Sequence, residues 1–139
     1  MAAIATLTLA DGQTTPVNHI FNPTRISAEG IAGWIDRSGG IAVGFSKITM
    51  QVRQPTAGSR AYKVTAKVVT PVLEVTSPAT STGIQPAPTK AYDLLATLEF
   101  VLPERSTLAQ RKDLIAFTKN LLANAVITNA VNDFEEVYG

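Results

Sequence analysis

Between residues 47 and 67 the chain alternates with a period of two. Lys47, Thr49, Gln51 and Arg53 fall on every second position, with Ile48, Met50 and Val52 between them. Lys63, Thr65 and Lys67 repeat the pattern around Val64 and Ala66. Such alternation puts each polar set on one side of a β-strand and each apolar set on the other. The connecting run Pro55-Thr56-Ala57-Gly58-Ser59-Arg60 is a turn by its Pro and Gly, so the two strands are expected to be antiparallel neighbours. A turn centred near Ala57-Gly58 sets Thr49 across from Thr65 and Gln51 across from Lys63. The chain is thereby committed to a polar sheet surface over an apolar underside.

That surface is cationic. From Arg37 to Leu73 the chain carries Arg37, Lys47, Arg53, Arg60, Lys63 and Lys67 and no carboxylate, half of its 12 Lys and Arg residues in a protein of net charge +1. A block of one sign inside a neutral total points to a face that meets a polyanion. A merely solvated strand face can also show Lys and Thr, but it normally mixes signs to limit self-repulsion.

The remaining pattern is that of an α+β chain. Ala3 to Leu9 alternates and leads into Asp11-Gly12, a two-residue hairpin signal, with Val17 to Phe21 as the return strand closed by Asn22-Pro23. Ile31 to Ile35, containing the only Trp, is a further short strand. The two alternating runs extend to strands over about 43–54 and 61–70, and a last strand over about 92–102 stops at Pro103. Between them lies a segment, 71–91, with four of the eight prolines, and loops of this length inside compact domains are usually functional or disordered. The C-terminal third changes period. Thr107 with Gln110 forms a capping box, and Leu114, Ile115, Thr118, Leu121, Leu122 and Ala125 make one helical stripe. Asn124 marks the expected stop, and Thr128 or Asn129 caps a shorter helix with Val131, Phe134 and Tyr138 inward. Strands first and helices last describe an antiparallel sheet with helices on one face.

Length and composition set the outer bounds. With 139 residues, 45% apolar and 17% charged, the chain is expected to fold as one domain over 1–139, and its low charge favours self-association. There is no Cys, hence no disulfide framework or thiolate metal site. The N-terminal Met-Ala-Ala-Ile-Ala-Thr lacks a basic segment and an apolar run, so a soluble cytosolic protein without a secretion signal or membrane span is expected. His19 is the only histidine and has no second His or Cys to make a metal site or catalytic pair, so it reads as an ordinary strand histidine. Ser77, Ser81 and Ser106 lie outside any nucleophile-elbow motif, and Gly39-Gly40 lacks a phosphate-loop pattern. Neither an enzyme, a cofactor nor a small-molecule substrate has support from these residues.

Several stretches resemble the coat proteins of small single-stranded RNA bacteriophages, the levivirus type. They are Gly30-Ile31-Ala32-Gly33-Trp34-Ile35, Ile48-Thr49-Met50-Gln51-Val52-Arg53-Gln54-Pro55 and Arg60-Ala61-Tyr62-Lys63-Val64-Thr65-Ala66-Lys67. The resemblance continues through Ala91-Tyr92, the helix opening at Ser106-Thr107, Leu121-Leu122-Ala123 and the end at Val137-Tyr138-Gly139. It implies an N-terminal β-hairpin, a five-stranded antiparallel sheet and two C-terminal helices that interlock across a homodimer, burying Leu114, Ile115, Leu121 and Leu122. Dimers of that type close into an icosahedral capsid around single-stranded viral RNA, bind an RNA hairpin operator and repress replicase translation. The virion, and the host cytoplasm during assembly, are the implied locations, and the 71–91 loop is implied to serve assembly.

By the same resemblance Thr49, Gln51, Lys63 and Thr65 surround an unpaired adenine. Lys47, Arg53 and Lys67 contact phosphates, and Tyr92 stacks on a loop base. Gln51 departs from the small hydroxyl residue often found there, and Ala61 from a polar one. The alternative from another class is a free-standing RNA-binding regulator that never builds a shell.

Overall fold

A computed structural model describes residues 3–74 and 87–139 of the chain. They fall into two compact units, one running to Val101 and one from Leu102 to Gly139.

The first unit is a six-stranded sheet in the order β1 (Leu7–Ala10), β2 (Asn18–Ile26), β3 (Ile31–Asp36), β4 (Ser46–Arg53), β5 (Ala61–Leu73) and β6 (Lys90–Pro103), each beside its neighbour in sequence. The pairs from β1 to β5 are antiparallel. Six strands replace the expected five because β2 does not end at Asn22-Pro23. It continues to Ile26 and pairs with β1 on one side and β3 on the other, which joins the hairpin to the sheet. The proline is tolerated because the register shifts between Pro23 and Ile26, a bulge that frees the chain from a regular ladder there. On this stretch the Thr24 hydroxyl donates to the carbonyl of Gly33 at 3.0 Å.

Asp11-Gly12 does not make a two-residue turn. The Asp11 carboxylate accepts from the backbone N–H groups of Val17 at 3.0 Å and Gln13 at 3.3 Å, which stabilises a longer loop between Ala10 and Asn18. Ahead of β4, residues Ala42–Gly44 form a 3₁₀ turn, so this strand starts at Ser46 and not near residue 43. The 71–91 segment is also shorter than expected, since β5 runs on to Leu73 and β6 begins at Lys90. The expected assembly role falls mainly on residues 75–86, outside the described residues.

The β4–β5 register pairs Thr49 with Lys67, Gln51 with Thr65 and Arg53 with Lys63. The expected register is therefore displaced by two residues, because the turn centres on Gly58. A helical turn closes it, with the N–H groups of Ser59 and Arg60 both bonding to the Thr56 carbonyl and Arg60 in the left-handed region at φ 43°. A displacement of two keeps every side chain on its expected face.

Phe21, Trp34 and Ile48 are buried together, with Ile4, Leu7 and Ala32 packed against them. The Trp34 indole N–H donates to the Ala5 carbonyl at 2.8 Å, satisfying its one polar atom. These residues lie on the side of the sheet opposite Lys47 and Thr49, and the hairpin strands fold over that side.

In the second unit, α1 (Leu108–Leu122) opens with the expected capping box. The Gln110 N–H donates to Thr107 Oγ1 at 3.3 Å and the Thr107 N–H to Gln110 Oε1 at 3.0 Å. The second helix, α2 (Ala125–Asp133), starts earlier than expected because Asn124, besides closing α1, caps it by accepting from the Val126 N–H at 3.0 Å. The two helices meet at a bend of 49°, and no single described helix is long and apolar enough to cross a membrane. No residue of either helix is buried. Phe134 and Tyr138, expected inward, are almost fully exposed at 88% and 92%.

Candidate nucleic-acid interface

The face opposite the core is built by the odd-numbered residues of β4 and β5. Alternation from the buried anchor Ile48 forces Lys47, Thr49, Gln51 and Arg53 to the other side, and the register sets Lys67, Thr65 and Lys63 beside the last three. Cross-strand partners in such a ladder have Cβ atoms about 4.5–5.5 Å apart. The seven residues thus form one continuous patch of cations, hydroxyls and an amide.

Two details constrain what the patch can do. The Gln51 Nε2 group donates to the Glu29 carbonyl at 2.9 Å, which fixes the amide and leaves its oxygen as an acceptor on the surface. Arg53 and Lys63 stand directly opposite each other, a like-charge pair that costs stability unless compensated. The compensation comes from β6. Lys63 Nζ lies 3.1 Å from the Glu99 carboxylate. The run Arg37–Leu73 is free of acids, but the folded face is not, since Glu99 arrives from a strand remote in sequence. Its alternation with Val101 and Thr97 was the only signal that could have found it.

The Lys63–Glu99 contact also orients β6. Glu99 and Val101 both lie beside Lys63, on one side of the strand there. Tyr92, near the start of β6, is exposed. At the turn end of the patch a cavity of 280 Å³ is lined by Arg53, Thr56, Ser59, Ala61, Lys63 and Val101, among others. Guanidinium, ammonium and hydroxyl groups converging on a shallow cavity suit the non-bridging oxygens of a phosphodiester.

The expected dimer residues Leu114, Ile115, Leu121 and Leu122 are all exposed on α1. Phe117, outside the expected stripe, is exposed as well and widens the apolar arc to about half the helix circumference, against the ~100° of a typical surface helix. Among the described residues no group of three or more His, Asp and Glu side chains is arranged to hold a metal ion.

The described residues thus combine an antiparallel sheet bearing a cationic face with two C-terminal helices bearing exposed apolar side chains, the architecture of a coat-protein fold. The chain belongs to the levivirus coat protein family, which it matches over residues 2–138. No curated protein sequence matches it significantly. Among solved structures it is similar to the virus-like particle of bacteriophage ESE058, with 34% identity, TM-score 0.89 and coverage of 99% of this chain and 100% of that one. The virus-like particle of bacteriophage NT-214 is 32% identical, with TM-score 0.86 and the same coverage of 99% and 100%. An unassembled virus coat protein dimer, a bacteriophage RNA-binding dimer, shares the fold at 19% identity, with TM-score 0.59 over 96% of this chain and 97% of that one.

Proposed function

We propose that this chain is a capsid subunit that dimerises through its helices, assembles into an icosahedral shell and packages single-stranded RNA against the basic sheet face. The observation that carries the reading is the end-to-end likeness to chains that form virus-like particles, at 34% identity and with full coverage of the relative. The exposed apolar arcs of α1 and α2 fit the same reading, because they need a second copy to cover them. The whole of 1–139 acts as one coat-protein domain, structural and without a catalytic role, residing in the virion and assembling in the host cytoplasm.

On the basic face, Lys47, Arg53, Lys63 and Lys67 supply the sequence-independent attraction to phosphates. Thr49, Gln51 and Thr65 are the base-selecting groups, with the tethered Gln51 presenting an acceptor to an exocyclic amine. Tyr92, exposed on β6, is the stacking platform for a loop base. An RNA hairpin at the replicase start is the operator that this face binds when the chain represses translation.

Expression of the full chain, followed by electron microscopy, gel filtration and nuclease protection, tests the reading. Closed particles that shield RNA are expected. Dimers that bind RNA but never form particles, at any salt or protein concentration, would favour the free-standing regulator.

A further inference from the structure

The core side of the sheet, away from the basic face, carries a charge cluster of its own. His19, on β2 of the hairpin, lies with Nδ1 2.8 Å from Asp36 Oδ2 and Nε2 3.2 Å from Asp11 Oδ2. Ionised carboxylate oxygens only accept hydrogen bonds, so both ring nitrogens must donate, and only the imidazolium can do that. A neutral ring would turn a lone pair toward one of the two carboxylates.

Both partners are held in place from behind. Asp36, buried at the end of β3, accepts the Ser38 N–H at Oδ1, 2.9 Å away. Asp11 Oδ1 accepts from Val17 and Gln13 in the β1–β2 loop. The ring therefore ties together three separate pieces: the hairpin loop, the hairpin strand and the turn that leaves β3. The cavity of 280 Å³ around it is completed by Leu9, Ala10 and Phe21 from the hairpin, Ser46 from β4 and Thr70 from β5, none of them charged. Among the described residues, Asp11 and Asp36 are thus the only charged groups lining that cavity with His19.

We propose that protonated His19 is the latch that holds the N-terminal hairpin onto the sheet, and that the hairpin loosens when the ring loses its proton. The direction of the titrations agrees with this geometry. The ring's hydrogen bonds, first to Asp36 and then to Asp11, hold its pKa above the ordinary 6.5, against the pull of desolvation. The Val17 N–H, with His19 and Gln13, holds Asp11 below the ordinary 3.8. Burial pushes Asp36 up, but Ser38 and His19 together outweigh it and leave it lowered. A raised His value means that the latch is fully formed below pH 6.5 and is lost as pH rises through the folded value above it. The depressed carboxylates mean that it persists above pH 3.8 and fails only as pH falls through their lowered values.

The full-length protein, in whatever assembly it forms, is examined by two exchange measurements read by mass spectrometry. Exchange of the ring C–H between the two nitrogens reports the titration of the single histidine, and amide exchange corrected for intrinsic rate reports hairpin opening. The expected result is a His19 pKa above 6.5 that falls in Asp36→Asn. Protection of Leu7–Ala10 and Asn18–Phe21 should be lost through the same pH range, while Thr49–Arg53 stays protected. His19→Gln should show no such pH dependence. Should that variant not fold, the wild type and Asp36→Asn decide the matter alone. An unshifted histidine, hairpin protection equal on both sides of the titration, or a loss spread evenly over the sheet would overturn the latch.

Discussion

Truncating Leu121 to Ala separates a chain that is complete alone from one that is finished by a second copy. In the single chain this side chain is 55% exposed. Leu→Ala removes carbon worth about 0.8 kcal/mol per buried CH₂, so at this exposure the loss is roughly 1 kcal/mol. If a partner subunit closes over α1, the same truncation also leaves a cavity in a packed interface, and the cost rises to about 2–5 kcal/mol. Each dimer carries the change twice, so unfolding of the dimer to two chains should lose about 4–10 kcal/mol. The assay is equilibrium urea unfolding at two protein concentrations a factor of ten apart. For a dimer that unfolds to separate chains, the wild-type midpoint should rise with concentration, the tenfold change being worth about 1.4 kcal/mol. Leu121→Ala should lower the midpoint at both concentrations. A concentration-independent midpoint, with a loss near 1 kcal/mol, would refute the argument that exposed apolar arcs on these helices mark a subunit interface.

Three further outcomes test the sheet. Lys67→Gln should weaken binding to hairpin and random RNA alike, and lower the slope of log affinity against log salt by roughly 0.7 if one single-strand phosphate contact is lost, as read by filter binding across salt. On β6, Tyr92→Ala should lose about 1–3 kcal/mol preferentially on a hairpin with an unpaired, stackable loop base, and an equal loss on random RNA in the same assay would reduce the face to a general polyanion surface. Ile48→Ala, in the centre of the Phe21–Trp34–Ile48 cluster, should cost about 2–5 kcal/mol by denaturant unfolding, because the packed site cannot collapse around the missing carbons.

What could be read in the sequence was whatever depends on local chemistry. Alternation around Ile48 and Val64 assigned the basic face correctly, since a side chain's face depends on parity alone and survives a register error of two residues. The Thr107–Gln110 capping box was legible for the same reason, being a bond within four residues. What escaped was set by partners distant in sequence or by backbone detail. Glu99 reaches Lys63 across 36 residues, and no charge count along the chain could bring them together. Pro23 looked like a strand end because a bulge that accommodates proline has no signature of its own in a single sequence. His19 looked ordinary for a parallel reason: its partners sit 8 residues before it and 17 after it, and only the sheet assembles them.

The bond between Thr24 and Gly33 restricts how this protein can drift. A methyl group at position 33 would sit 2.8 Å from Thr24 Oγ1, a distance that Cβ atoms do not tolerate. Gly33 is thus required by its neighbour and not by its own backbone angles. Gly33→Ala alone should be selected against, yet a lineage that first exchanged Thr24 for a smaller residue could accept it. Sites 24 and 33 should therefore vary together among descendants of this chain, in a fixed order of events, with the threonine yielding before the glycine.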